Sequence, residues 1–215
     1  MCAVETGNQA LAAGPDGLPR CWWSVGSPQY VAYHDQEWGR PQLSDAAIFE
    51  HLSLESFQAG LSWAVVLRKR PAFREAFGGF RPAVVAAFGP HDRDRLLQDS
   101  GIVRNGRKIE AVIHNAGRAL EVISEFGSLA AFFWGFRPET WPAPRGRADV
   151  PATSPASQEL AAELHRRGFR FLGPTTVHAH LQATGLVNDH MVGCCVREAV
   201  EAEQAATAVR CARRR

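Results

Sequence analysis

Residues 101–127 read GIVRNGRKIEAVIHNAGRALEVISEFG. From Arg107 to Phe126 the apolar residues Ile109, Val112, Ile113, Ala116, Leu120 and Ile123 recur every three or four positions, the spacing of a helix with one core-facing stripe. Gly127 can end that helix. Gly101 and Asn105-Gly106 permit a tight turn before it, because these residue types tolerate unusual backbone angles at little steric cost. Counting from about Asp92, the stretch reads helix, tight turn, helix. Backbone N–H groups at the start of the second helix can hold a phosphate, and Arg104, Arg107 and Lys108 add positive charge. Gly101, Arg104, Asn105, Arg107 and Lys108 are therefore candidates for gripping a nucleic-acid backbone. On these residues alone, a plain helical hairpin with a solvated basic end is the simpler reading.

Helix signals dominate on either side. Ser44 can cap a helix carrying Ile48, Phe49 and Leu52, and Ser62 another that runs towards Arg70 and stops at Pro71. Ser154-Pro155 is a cap followed by proline at the first helical position, ahead of Leu160, Ala161 and Leu164. Gly168 suits the end of that helix, and Pro174 opens a further segment that Gly185 can close. No hairpin dipeptide lies between alternating apolar runs, so no sheet is expected. Residues 137–155, rich in Pro, Arg and Ala, read as an extended connection. The expected organisation is all-α: a flexible extension over 1–19, one helical domain over 20–197 and a tail over 198–215. That tail ends in the basic residues Arg210, Arg213, Arg214 and Arg215.

The 215 residues, 46% of them hydrophobic, suffice for a sizeable core. A formal net charge of +2 says little about an anionic partner. No apolar run approaches the roughly 20 residues of a membrane span, and the N-terminus lacks the pattern of a secretory signal. Five cysteines, two of them adjacent, make a poor disulfide framework for this length. A reducing cytoplasm, with thiols free or metal-bound, is the expectation.

The stretch VNDHMVGCC, residues 187–195, places His190 and Cys194 four positions apart, on one face of a helical turn. Alone the pair is a weak signal, since a buried Cys is usually inert packing. Cys21 and His34, in the aromatic-rich segment CWWSVGSPQYVAYHDQEWG, complete a Cys2His2 set. Such a set suits one tetrahedral zinc ion, and four protein ligands leave no open position, so the metal would be structural.

At these residues the chain resembles the DNA-3-methyladenine glycosylase I family. The matching stretches are CWW at 21–23, YVAYHDQEWG at 30–39, ESFQAGLSW at 55–63, GIVRN at 101–105, Lys108-Ile109, RGFRF at 167–171, GLVNDH at 185–190 and GCC at 193–195. Together they cover roughly Arg20 to Val196. The resemblance implies a helix-hairpin-helix glycosylase fold in which a zinc clasp of Cys21, His34, His190 and Cys194 joins the N- and C-terminal segments. It implies excision of 3-methyladenine from alkylated double-stranded DNA, leaving an abasic site and the free base, by a monomer with no membrane association. It also turns the 92–126 hairpin into a DNA-gripping element. Thr176 to His180 depart from the family, where Cys and Tyr are frequent. No second metal is inferred there, since His178 and His180 point apart on a helix.

An enzyme of this kind must flip its base into a pocket with flat apolar walls and a few polar groups. Both tyrosines and four of the six tryptophans fall between Trp22 and Trp63, around an isolated Glu55. Aromatics so placed are ordinarily core residues. A carboxylate among apolar neighbours, however, needs a partner or a function. 3-Methyladenine is cationic in DNA, and a carboxylate within stacked rings favours it over neutral adenine. In the resembling family Glu55 reads the base, Tyr33 and Trp63 contact it, and Trp23 and Tyr30 are further contacts. Two other classes stay open on the residues: a zinc-clasped module that binds DNA or protein without catalysis, and a zinc hydrolase, which requires one of the four ligands to be off the metal.

Overall fold

The computed structural model describes residues 10–212. Residues 1–9 of the N-terminal extension and Arg213 to Arg215 of the basic tail lie outside them. In chain order the elements are β1 (Leu11–Ala13), β2 (Pro19–Cys21), α1 (Pro28–Gln36), α2 (Asp45–Gln58), α3 (Trp63–Ala76), α4 (Pro82–Ala86), α5 (Pro90–Gln98), α6 (Gly106–Phe126), α7 (Leu129–Trp134), α8 (Pro155–Arg166), α9 (Pro174–Ala183) and α10 (Arg197–Ala212). The expected all-α class holds. The described residues fall into two compact units, one of residues 10–41, 138–152 and 182–212, the other of residues 42–137 and 153–181.

In the second unit α2 is the axis. Ser44 caps it by accepting from the Ala47 N–H, and every residue from Ile48 to Phe57 is buried as α3, α6 and α7 pack around it. A helix buried on all sides must satisfy each polar side chain it carries. Glu50 pairs with Arg70 and, at 2.8 Å, with Arg74. The Ser53 and Ser56 hydroxyls donate to the carbonyls of Phe49 and Leu52 one turn back. Phe57, Phe73, Phe77 and Phe80 form a ring cluster with centroid separations of 4.7 Å for Phe57–Phe73 and 5.3 Å for Phe77–Phe80. Each such fully buried side chain contributes about 1.5–3 kcal/mol.

Helix α6 begins and ends as its sequence implies. The Asn105 side chain caps it by accepting from the Lys108 N–H at 3.2 Å, and Gly127 closes it at φ 81°. Its buried face is rotated from the expected stripe: Ile109, Val112, Ala116, Ala119 and Val122 are inside, whereas Leu120 is 37% exposed. The small Ala119 and Val122 permit close approach where the larger side chain would stand off. Helix α3 does not stop before Pro71 but continues through it to Ala76. Pro71 is exposed, and the helix beyond it is held by the buried Phe73 and Ala76. Ser154 caps α8 as expected, accepting from the Ser157 N–H.

The first unit contains the one departure in class, a two-stranded antiparallel sheet in which Leu11 faces Cys21 and Ala13 faces Pro19. The signal for it is Pro15-Asp16-Gly17, a turn sequence whose Gly17 has φ 78° and whose Asp16 carboxylate accepts from the Leu18 N–H. The flanking strands are three residues long, too short to show alternation. The strand pair thus begins within the 1–19 segment read as flexible, and α10 carries residues 198–212 of the 198–215 tail. Among the described residues no helix is long and apolar enough to cross a membrane.

Candidate functional site

All four Cys2His2 residues lie in the first unit, each buried. Cys21 ends β2, and His34 stands in the last turn of α1, whose start is capped by Ser27 and Pro28. His190 and Cys194 are not on a helical turn. They sit on a loop that bends at Gly193 (φ 86°) and closes by the Cys194 N–H donating to the Met191 carbonyl. The Val187–Cys195 motif explains the loop's rigidity. Asp189 accepts from the Trp141 and Gln182 side chains at 2.6 and 2.7 Å, and the Asn188 amide accepts from the His190 N–H and donates to the Arg197 carbonyl.

The donor atoms converge. His34 Nε2 is 3.1 Å from His190 Nδ1 and 3.5 Å from Cys194 Sγ, and His190 Nδ1 is 3.6 Å from Cys194 Sγ and 3.8 Å from Cys21 Sγ. A tetrahedral ion bound at about 2.0–2.3 Å has edges of about 3.3–3.8 Å, so this donor set fits one. The second nitrogen of each imidazole is also engaged. His34 Nδ1–H donates to the Asp35 carboxylate at 2.7 Å and His190 Nε2–H to the Trp38 carbonyl at 3.0 Å. Those bonds leave the inward nitrogens as acceptors, the tautomers a metal requires. The hydrogen bond between the two thiols pulls their acidities apart, holding Cys194 below the usual thiol range and Cys21 above it.

Sequence reading missed what stands behind these ligands. Arg20, 3% exposed, donates to both Asp35 oxygens and to Asp16 in the β1–β2 turn, at 2.6–3.0 Å. Burial pushes the Asp35 carboxyl up, yet the Arg20 and His34 contacts hold it below the ordinary value. The only signal was adjacency, Arg20 before Cys21 and Asp35 after His34. Trp23 and Trp38 flank the ligands, with centroids 5.3 Å from His34 and 4.6 Å from His190 respectively. Trp23 also meets Tyr30 at 5.9 Å and Tyr33 at 6.4 Å. Trp23, Tyr30, Tyr33 and Trp38 thus belong to the first unit with the Cys2His2 set, whereas Glu55, around which they were expected, and Trp63, which opens α3, belong to the second.

Glu55 lies in the last full turn of α2, 6% exposed. Among the described residues no side chain or backbone group bonds its carboxylate, unlike Glu50, Ser53 and Ser56 on the same helix. Burial alone pushes its pKa up to about 8. The turn from Glu55 to Trp63 is fixed by Lys108, whose ammonium donates to the Phe57 and Ala59 carbonyls at 2.9 and 2.7 Å.

Residues 22–198 match the sequence profile of the methyladenine glycosylase family. The chain belongs to this family. It is 42% identical over 181 residues to DNA-3-methyladenine glycosylase 1 of Escherichia coli (strain K12), a match covering 83% of this chain and 96% of that one. It is 39% identical over 178 residues to DNA-3-methyladenine glycosylase of Haemophilus influenzae, covering 81% and 96%. A solved structure of 3-methyladenine DNA glycosylase I from Staphylococcus aureus, described as showing the basis of 3-methyladenine recognition, superposes with a TM-score of 0.77. It shares 34% identity and covers 81% of this chain and 94% of its own.

Within this methyladenine glycosylase, α5, the 99–105 turn and α6 form the expected hairpin. Gly101 sits close to Asp99, whose carboxylate accepts the Gly101 N–H at 2.7 Å, and an added Cβ would meet Ala72 at 2.9 Å. Arg104, Asn105 and Arg107 are exposed at the start of α6. Lys108 differs from the expectation: it is 9% exposed and turned inward onto the end of α2, because two carbonyls without helical partners there need a donor.

Proposed function

We propose that this chain excises 3-methyladenine from alkylated double-stranded DNA by hydrolysing the N-glycosidic bond, releasing the free base and leaving an abasic site. Glu55 carries the reading. A buried carboxylate without a protein partner costs several kcal/mol unless a cation meets it, and the methylated purine is a cation that ordinary adenine is not. The carboxylate favours the damaged base by charge and by accepting from its amino group. Trp63 and Tyr33 are proposed as base contacts, with Trp23 and Tyr30 in the same role, each ring adding about 0.5–2 kcal/mol of cation–π attraction. As the bond from N9 to C1′ breaks, its electron pair neutralises the purine, and water adds at C1′ and gives up a proton. The leaving group is already positive, so no strong general acid is required. Gly101, Arg104, Asn105 and Arg107 are proposed to hold the DNA backbone through the start of α6.

The Cys21, His34, His190 and Cys194 set is proposed to bind one structural zinc, which would supply cross-linking and no chemistry. The protein is proposed to act as a cytoplasmic monomer without membrane association. Chromatography of bases released from methylated duplex tests the activity. Wild type is expected to liberate 3-methyladenine, and Glu55→Ala or Trp63→Ala to lose at least about a hundredfold in rate, in the range expected when an interaction that stabilises the departing base is removed. Binding of lesion DNA without any base release would replace catalysis by a binding-only role.

A further inference from the structure

Among the described residues two outside glycine have positive φ, Phe80 at 52° and Phe171 at 60°. Such a conformation costs about 1 kcal/mol or more for a bulky side chain. Phe80 offsets this by burying its ring completely in the phenylalanine cluster. Phe171 does not, since its ring is 43% exposed. The strain there is nonetheless enforced by side chains of two helices. Asn115 of α6 both accepts the Arg170 N–H at 2.8 Å and donates to the Arg170 carbonyl at 2.9 Å. His114 donates to the Gly168 carbonyl at 2.8 Å. Ser56, next to Glu55 on α2, has its hydroxyl 3.4 Å from the Phe171 carbonyl and shares with it the one proton that it also gives to Leu52 at 3.1 Å. The Arg107 guanidinium, on the first turn of α6, lies 5.8 Å from the centre of the Phe171 ring.

Building a strained loop to hold a greasy ring in water has no folding rationale. We propose that Phe171 is a nucleic-acid contact, a stacking platform for a nucleobase of the DNA strand whose phosphates the start of α6 holds. The inference rests on the glycosylase reading and extends it. Three features fit a nucleic acid better than a protein partner: a flat exposed ring, a guanidinium beside its face, and the exposed Arg170 next in the chain. Rings of this kind stack on any base, so the contact would add affinity for the strand without choosing its sequence. Ser56 and Asn115 are positioning residues, setting the ring from the helix that carries Glu55 and the helix whose first turn carries Arg107.

The test uses Phe171→Ala, Phe171→Trp and Phe171→Gly in the full chain. A duplex holding a tetrahydrofuran abasic analogue reports DNA binding, free 3-methyladenine reports base binding, and melting reports stability. Phe171→Ala is expected to bind the duplex about tenfold more weakly, while free-base affinity stays within about twofold of wild type. Phe171→Trp keeps duplex affinity. Phe171→Gly accepts the left-handed backbone freely, so it melts no lower than wild type yet binds the duplex as weakly as Phe171→Ala. Wild-type duplex affinity in Phe171→Ala and Phe171→Gly overturns the proposal, and so does a loss that Phe171→Gly shares equally between duplex and free base. Wild-type protein that releases no 3-methyladenine sinks the glycosylase reading separately, whatever these variants do.

Discussion

On the proposed reading a single side chain, Glu55, would convert burial into selectivity. Desolvation lifts its pKa to about 8 from the ordinary 4.5, so near neutral pH it is mostly protonated until a cation arrives. The sign of the linkage follows. Between 4.5 and about 8 the folded state holds a proton that the unfolded chain has released, so the group's stability contribution is complete below 4.5 and is lost as pH rises through about 8. Glu55→Gln is neutral at every pH. It should melt level with wild type at pH 5 and above it at pH 8.5, while 3-methyladenine release falls at least about tenfold, the loss of one charge-assisted contact. For wild type, kcat/KM on methylated DNA should rise with pH and level off above about 8, because the free enzyme's carboxylate is the competent form. A profile with no inflection between pH 6 and 9, or a Glu55→Gln variant that melts lower at both pH values, would count against an unpaired buried carboxylate.

Elements whose limits are set by local chemistry were legible, and those set by packing were not. Gly127 ends α6 and Ser154-Pro155 begins α8 as read, because a cap is a property of a few adjacent residues; Asn105, read only as part of a turn, proves to be the cap that starts α6. Pro71 reads as a stop, yet α3 passes it, since the decision belongs to Phe73 and Ala76 in the core beyond. Lys108 shows the same limit within a site. Its place beside Arg107 at a basic turn suggests a phosphate contact, but its ammonium closes the end of α2 and steadies the turn leading to Trp63. Lys108→Met is therefore expected to cost about 2–4 kcal/mol, two charged hydrogen bonds discounted for partial exposure of the carbonyls. In a chain of this length that lowers the melting temperature by about 10 °C. The salt dependence of DNA binding should keep its slope. A phosphate contact would give the reverse, an unchanged melt and a slope reduced by about one.

Across the whole molecule, sequence named the four side chains that the fold brings together as a candidate metal site, because cysteine and histidine are few and their pairing is chemically narrow. It left out the support behind them, since Asp16, Arg20 and Asp35 are common residue types whose meaning appears only when the β1–β2 turn meets α1. That support ties the β1–β2 turn to α1 through one buried guanidinium, and the four donors tie both to the loop before α10. Segments so separated in sequence gain most from a cross-link, because closing a long loop is where the unfolded chain loses most entropy. Stripping the metal with a chelator should lower the melting temperature by about 10 °C or more. An ion present at a thousand times its dissociation constant is worth about 4 kcal/mol, and each kcal/mol moves a chain of this size by about 2–4 °C. Arg20→Ala and Asp35→Asn keep all four ligands but free the His34 ring, so both should bind metal and release it to a chromogenic chelator about ten- to a hundredfold faster. Release at the wild-type rate would leave the Asp16–Arg20–Asp35 chain with no hold on the metal site. Protein that melts identically with and without metal would leave the Cys2His2 set as packing.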